Sequence, residues 1–528
     1  MSQTTSSFAL ITISLLVACV MVPAAEGTGA AVTATPPPMA CETLATLHVE
    51  STTIDSATTV AAGTFKPPAP DFPFAVDYSK LPAFCRVTGS IRPSADSDIR
   101  FELWLPASGW NGRFMQTGNG GAAGAIVYGS LAEPLARGYA VANTDTGHQG
   151  GMGDFAWAVG HPEKLTDYAY RAVHALTVAG KAITTAHYGR APQKSYWSGC
   201  STGGRQGLKE AQRYPDDYDA IIAGAPANNW SPLMALSILT RRDLGGPDGL
   251  GLDKLAVLKE AALAACDAQD GVQDRVIGAP RRCHFDPATL QCKAGESGRC
   301  LSAAEVAAAQ RIYRGVVDPS GRTRIPGTGP ASEPQWAGYA SPQFAIGTSY
   351  FRNVVAHDAT WDPRRFDVGV DLARAERQDA GAARAMDPDL GKFLAHGGKL
   401  LLYHGTADGL IPYGNTVNYY DSVVAKLGAR PARSGVRLFL VPGMEHCAGG
   451  DGAFVVDWLG AMENWVEHGA APESLPALHP ANLPPMPGVP PAPPGKAFTR
   501  PVCAYPQLAR YQGSGDTTDA ANFRCAAQ

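Results

Sequence analysis

Two dipeptides far apart in the chain, Cys200-Ser201 and His446-Cys447, combine a nucleophile, a base and two sulfurs. Ser201 lies in Gly199-Cys200-Ser201-Thr202-Gly203, and His446 lies in Gly443-Met444-Glu445-His446-Cys447. A serine becomes nucleophilic when a histidine stands within hydrogen-bond reach, roughly 2.6–3.2 Å. If Ser201 and His446 meet, the cysteines beside them meet as well, and a Cys200–Cys447 disulfide would staple nucleophile to base. Asp408, in His404-Gly405-Thr406-Ala407-Asp408, supplies the third group, which orients an imidazole and stabilises its charged form. Thr202, as the residue after the nucleophile, is expected to offer one oxyanion N–H. Gly118, in Thr117-Gly118-Asn119-Gly120-Gly121, is expected to offer the second, since glycine lets backbone donors approach a developing oxyanion, and the flexibility of this loop leaves its neighbours as alternatives. The chemistry these residues spell is acyl transfer.

Such residues need elements to hold them. Ser195-Tyr196-Trp197-Ser198 reads as a short strand, and Arg205 to Arg213 reads as a helix. Gly-x-Ser-x-Gly therefore sits in the strand–turn–helix context of a nucleophile elbow. Strands over Lys399–Tyr403 and Val436–Leu440 place Asp408 and His446 just past carboxyl ends, where open parallel sheets build their sites. The order serine, acid, histidine is that of the α/β-hydrolases. Upstream, Phe101–Leu105 and Tyr139–Ala142 read as strands, and Asp167–Thr185 as a helix with Ala169, Ala172, Leu176, Ala179 and Ile183 on one face. Helices are also expected over Asn415–Leu427 and Phe454–His468. Alternating strands and helices predict a parallel sheet with right-handed crossovers. Between them, residues 230–396 change texture: four cysteines, many Gly and Pro, and helical segments over Asp253–Cys266 and Ser302–Val316. The expected fold is an α/β-hydrolase core (41–229 and 397–528) with residues 230–396 inserted as a lid.

The rest of the composition narrows the setting. The chain has 528 residues and a formal net charge of -4, with no long basic block, so nucleic acid is a poor partner. Residues 1–25 read as an export signal. A second reading makes Leu16-Val17-Ala18-Cys19 a lipoprotein signal that anchors the protein through lipidated Cys19. Residues 26–40 read as a flexible tether. No later stretch is continuously apolar for a bilayer span, so a secreted or periplasmic protein is expected. Eleven cysteines less Cys19 leave an even number, which suits an oxidised exported protein. Local spacing suggests Cys41–Cys85, Cys266–Cys283, Cys292–Cys300 and Cys503–Cys525 beside Cys200–Cys447. Asp267, Asp270 and Asp274 crowd one loop of the insertion, which suits either Ca²⁺, a cation of hard oxygen ligands, or a solvated acidic turn. Asp145 and His148 suit acid–base chemistry but read first as a satisfied loop pair, and His404 reads as either a pocket or a packing residue. The aromatics Trp230, Tyr350, Phe351 and Trp361 suit either a flat aryl acid or the interior of the lid.

Together these residues resemble the tannase and feruloyl esterase family over most of the chain, from about Cys41 to Cys525. The likeness rests on Trp110-Asn111-Gly112-Arg113-Phe114, Gly199-Cys200-Ser201-Thr202-Gly203-Gly204-Arg205, Tyr403-His404-Gly405 with Asp408, and Pro442-Gly443-Met444 with His446-Cys447. It implies an α/β-hydrolase core, a lid, the Cys–Ser…His–Cys disulfide and a structural calcium. The implied ligands are Asp267, Asp270, Asp274 and the carbonyls of Val272 and Val276. The run Thr499–Pro506 is similar to the branch that holds mono(2-hydroxyethyl) terephthalate hydrolases, but Ile411 stands where that branch has a mobile phenylalanine. The expected function is a secreted serine esterase that cleaves phenolic esters, feruloyl or galloyl, small or linked to plant polymers, through an acyl-enzyme. The alternatives are a terephthalate monoesterase, a lipase or peptidase, and a non-catalytic binding protein on the same scaffold, which an intact triad argues against.

Overall fold

Nine strands form one sheet in the computed structural model, which describes residues 37–68, 76–482 and 496–527. They are β1 (Thr52–Val60), β2 (Phe84–Ile91), β3 (Ile99–Pro106), β4 (Arg113–Thr117), β5 (Ala140–Thr144), β6 (Lys194–Cys200), β7 (Ala220–Gly224), β8 (Lys399–Gly405) and β9 (Val436–Val441). Their spatial order is β1-β2-β3-β5-β4-β6-β7-β8-β9. From β5 onward every pairing is parallel, as the α/β-hydrolase expectation requires. β1, β2 and β3 pair antiparallel, and so do β3 and β5. The strand expected at Phe101–Leu105 is therefore present but belongs to an antiparallel edge that alternation with helices did not foretell.

The central strands are apolar on both faces because helices cover both. Every residue of β5, β7 and β9 is buried, the pattern of a sheet closed above and below. One cluster behind the sheet joins Leu103, Trp197, Leu402 and Leu438 to Leu176 and Ile183 of α1 (Ala172–Tyr188) and Leu208 of α2 (Thr202–Arg213). A second, on the other face, joins Tyr196, Ile222, Leu401 and Phe439.

The insertion runs between β7 and β8 and carries α3 (Trp230–Leu244), α4 (Leu255–Cys266) and α5 (Ala303–Arg314). The last starts on a capping box: Glu305 N–H donates to Ser302 Oγ at 3.2 Å and Ser302 N–H to Glu305 Oε2 at 2.6 Å. α3 was not expected, since Pro232 in its first turn masks a helical start. The insertion is not set apart, for residues 37–528 form one compact unit. Its α3 shares a hydrophobic cluster with Ala122, Phe155 and Tyr168 of the core. Tyr350 and Phe351 lie inside that cluster, with Trp361 against it. Tyr350 and Phe351 are packed in this shared interior, while Trp230 and Tyr350 also wall a cavity of about 370 Å³ beside Tyr168 and Asp379.

After the insertion come α6 (Tyr413–Leu427) and α7 (Trp458–His468). The helix expected from Phe454 begins four residues later. Asp457 caps it by accepting Gly460 N–H at 2.9 Å, and Val455 instead bridges to Leu478 as extended chain. Among the described residues no helix is long and apolar enough to cross a membrane. The export signal, Cys19 and most of the tether fall outside the described residues.

Candidate active site

Ser201 sits at the turn between β6 and α2 with φ 64° and ψ −121°. That left-handed conformation costs a non-glycine residue about 1–2 kcal/mol, so the surroundings must hold it. Ser201 N–H donates to Gly224 O at 3.0 Å, and the Ser201 carbonyl accepts from Ala227 N–H at 3.0 Å and Arg205 N–H at 3.1 Å. The flanking glycines allow close approach: a Cβ on Gly118 would stand 2.4 Å from Gly203 Cα. Helix and glycine loop therefore touch backbone to backbone. Among the described residues Ser201 Oγ has no hydrogen-bond partner, so the hydrogen bond to His446 expected from the sequence is not formed in this structure.

Asp408 and His446 follow β8 and β9 as expected. His446 Nδ1 stands 2.7 Å from Asp408 Oδ2, so that nitrogen carries the proton and Nε2 is the basic one. Asp408 is fully buried. Its Oδ1 accepts Leu410 N–H at 2.9 Å and Ile411 N–H at 2.8 Å. Burial alone would raise this carboxyl, but its hydrogen-bonded contacts with His446 and His404 outweigh it and hold the group well below the usual carboxylate range. These contacts favour the carboxylate over the neutral acid.

The sulfurs join these loops. Cys200 and Cys447 are bonded, with Cα atoms 5.9 Å apart across 247 positions. Cys41–Cys85, Cys266–Cys283, Cys292–Cys300 and Cys503–Cys525 are also bonded. Cys447 has φ 65°, so both Ser201 and Cys447 occupy left-handed backbone.

The glycine loop departs from expectation. Gly118 N–H donates to Ser198 O at 3.0 Å, extending the β4–β6 ladder by one bond. It is spent on the sheet and is not the second oxyanion donor. Nor is the loop flexible. Asn119 donates to Gln206 Oε1 from its backbone and to Thr144 O from its side chain, and its carbonyl accepts Gly203 N–H. The Gly121 carbonyl accepts Thr202 Oγ1–H at 2.6 Å and Tyr168 O–H at 3.2 Å. Among the described residues the N–H groups of Thr202, Gly120 and Gly121 make no hydrogen bond.

One residue escaped the sequence reading. Gln335, in the turn Glu333–Trp336 of the insertion, accepts the N–H of Gly409 at 3.0 Å and that of His446 at 3.1 Å on one oxygen. Its amide donates to Glu445 Oε2 at 3.2 Å. The insertion thereby ties the Asp408 loop to the His446 loop. No spacing rule marks a lone glutamine 74 to 111 residues before its partners. Gln335→Leu is expected to strand two N–H groups and to lower kcat about tenfold or more, since small displacements of reacting groups carry such penalties. Steady-state kinetics with KM unchanged would fit this; an unaltered kcat would remove Gln335 from the account.

Asp145 and His148 are satisfied loop residues. Asp145 Oδ1 accepts Arg100 N–H and Gly147 N–H at 3.0 and 2.9 Å, and His148 Nε2 donates to Ala122 O at 2.8 Å. Burial pushes Asp145 up to about 7 and His148 down to about 4, so the imidazole is neutral and anchors the neighbouring loop.

In the aspartate loop each carboxylate is bound by backbone. Asp267 accepts Asp274 N–H and Arg275 N–H at 3.2 and 3.0 Å, Asp270 accepts Val272 N–H at 3.0 Å, and Asp274 accepts Val276 N–H at 3.1 Å. Arg500 pairs with Asp274 at 2.5 Å. Burial, with Asp274 and Asp267 adding repulsion, pushes Asp270 up to about 6. One arginine against three carboxylates, of which Asp267 is buried and Asp270 and Asp274 are half-buried, leaves net negative charge, and the donors are all oxygen, so the chemistry fits a hard cation. Among the described residues only His174, Glu210 and Asp217 bring three ligand atoms within 4.8 Å of one another, so the aspartate loop is not drawn into a closed shell.

The chain matches the family model described as tannase and feruloyl esterase over residues 85–526. It is 39% identical to an uncharacterized esterase of Xanthomonas campestris, over 94% of this chain and 93% of that one. It is 33% identical to the mono(2-hydroxyethyl) terephthalate hydrolase of Piscinibacter sakaiensis, over 92% of each. The crystal structure of feruloyl esterase B from Aspergillus oryzae superposes with a TM-score of 0.83 at 32% identity, covering 92% of this chain and 99% of that one. The α/β-hydrolase topology, the elbow serine and these likenesses converge, and the chain belongs to the tannase and feruloyl esterase family of carboxylic ester hydrolases.

Proposed function

We propose that the protein is a secreted serine esterase that cleaves aromatic carboxylic esters, feruloyl or galloyl, through an acyl-enzyme on Ser201. The observation that carries this reading is the Asp408–His446 hydrogen bond beside a disulfide that ties Cys447 to the neighbour of Ser201. His446 Nε2 takes the Ser201 proton as Oγ attacks the ester carbonyl. Thr202 N–H and one N–H of the Gly120-Gly121 pair receive the oxyanion; such donors gain most where charge develops in the transition state. His446 then protonates the departing alkoxide, and a water activated by the same nitrogen releases the acid and restores Ser201.

The substrate side rests on the relatives. A terephthalate monoester is the alternative, supported by the Piscinibacter sakaiensis enzyme. Ile411 speaks against it, being 4% exposed and held by its own N–H on Asp408, where the likeness to that branch asks for a mobile phenylalanine. Offering methyl ferulate, methyl gallate and a terephthalate monoester to the wild type separates them. The expected ranking puts a phenolic ester first by kcat/KM; a terephthalate preference would reverse the assignment.

Ca²⁺ is proposed for the aspartate loop, held by Asp267, Asp270, Asp274 and the carbonyls of Val272 and Val276. When bound it neutralises these carboxylates and fixes the lid turn that Cys266–Cys283 brackets. Chelation is expected to lower Tm by several degrees and readdition of Ca²⁺ to restore it; a Tm indifferent to both would contradict a structural ion.

A further inference from the structure

Asp408 is held by two imidazoles, not one. Its Oδ2 faces His446 Nδ1 at 2.7 Å and His404 Nε2 at 3.1 Å. His404 lies on β8 and is fully buried. Its Nε2 also stands 2.9 Å from the Ile411 carbonyl. Both neighbours of that nitrogen are acceptors without hydrogens, so Nε2 must carry the proton. Its Nδ1 stands 2.8 Å from Thr416 Oγ1 on α6. Among the described residues the Thr416 hydroxyl has no other side-chain partner, so it donates to Nδ1 and the ring is neutral with its hydrogen on Nε2. The alternative, a buried imidazolium, would leave that hydroxyl without an acceptor.

We infer that His404, set in one tautomer by Thr416, is a second positioning histidine of the esterase: it clamps the Asp408 carboxylate and shares its charge, and so tunes how strongly Asp408 draws on the His446 proton. The inference rests on the triad reading above. With Leu410 and Ile411, His404 completes four donors on Asp408, two to each oxygen. A carboxylate so saturated cannot rotate away from His446. A donor to Oδ2 also competes with His446 for the same lone-pair density, which moderates the basicity that the aspartate confers. The other titratable groups facing the cluster are Glu445, on the base loop, and Tyr339, a lid residue whose hydroxyl is bound to the Leu410 carbonyl. Neither hydrogen-bonds Asp408.

The sign of the effect follows. Removing the Nε2 donor concentrates the Asp408 charge on His446 and stabilises its protonated form. The acid limb of the kcat/KM profile, which reports deprotonation of the base, then moves to higher pH. His404→Leu removes the donor, whereas His404→Gln keeps an N–H near the Nε2 position. Both are measured per active site, counted by titration with a fluorophosphonate, so that misfolded protein drops out. His404→Leu is expected to move the acid limb up by about half a unit or more and to lower kcat at least tenfold with KM within threefold. His404→Gln is expected to bring the limb back to the wild-type position. An acid limb and kcat per site unchanged in His404→Leu would overturn the inference and make His404 a packing residue. So would a kcat loss with the limb unmoved in both variants. Asp408→Asn, measured alongside, keeps the two claims apart: if it retains full activity the triad itself is wrong, whereas its loss together with a silent His404→Leu contradicts only the second histidine.

Discussion

Ser201→Ala is expected to lower kcat by roughly 10⁴–10⁶ while leaving the fold and KM nearly unchanged, as removal of a triad nucleophile does elsewhere. The stability half of that expectation comes from the structure. Ser201 Oγ has no hydrogen-bond partner among the described residues, so its loss breaks nothing in the folded state. Alanine also has a Cβ, so the strain at φ 64° is the same in both proteins. Ser201→Gly provides a control: equally inactive, it sheds that strain and is expected to be more stable by about 1 kcal/mol, less the extra entropy of its unfolded chain. An inactive and stabilised glycine variant would show that the protein holds its nucleophile in place at a cost in folding energy. Turnover by Ser201→Ala equal to the wild type would remove Ser201 from the chemistry.

Opening the Cys200–Cys447 bond is expected to have the largest effect on stability. It closes 247 positions, whereas Cys292–Cys300 closes 8. In the chain-entropy model the first is worth roughly 5 kcal/mol and the second roughly 2.5. The paired substitution Cys200→Ser with Cys447→Ser is therefore expected to lower Tm well beyond what Cys292→Ser with Cys300→Ser does. A second consequence distinguishes the catalytic staple from a structural one. At a temperature at which both variants are folded, only the first is expected to lose kcat, because only there does the base loop lose its tie to the nucleophile turn. Equal kcat in the two variants would make the active-site disulfide a stabiliser and nothing more.

What could be read from residues alone was the part of the site carried by local patterns. β8 and β9 are short apolar runs and β6 is centred on Tyr196-Trp197, and Ser201, Asp408 and His446 each follow one of them within a few positions. The cysteine beside Ser201 and the cysteine beside His446 made their proximity legible across the insertion. Contacts that depend on how distant segments dock were not legible. Gly118 is a glycine in the right loop, yet whether its N–H faces substrate or the β6 carbonyl of Ser198 is decided by one extra ladder bond. Gln335 serves Gly409 and His446 through a backbone geometry that leaves no pattern in side-chain types. Tyr350 and Phe351 illustrate a further limit, since an aromatic that could stack on a substrate has the same composition as one that fills a core. The antiparallel edge β1–β3 was missed for a similar reason: strand character is local, but strand direction depends on connections.

The central claim is that ester hydrolysis passes through a covalent intermediate on Ser201. The direct measurement is peptide mass mapping after the wild type reacts with a fluorophosphonate or a slowly released aryl ester. The account predicts one adduct per chain, on the peptide containing Ser201, with activity lost in proportion to labelling and no adduct on Ser201→Ala. Full activity with Ser201 unlabelled, or an inactivating adduct on another residue, would contradict it.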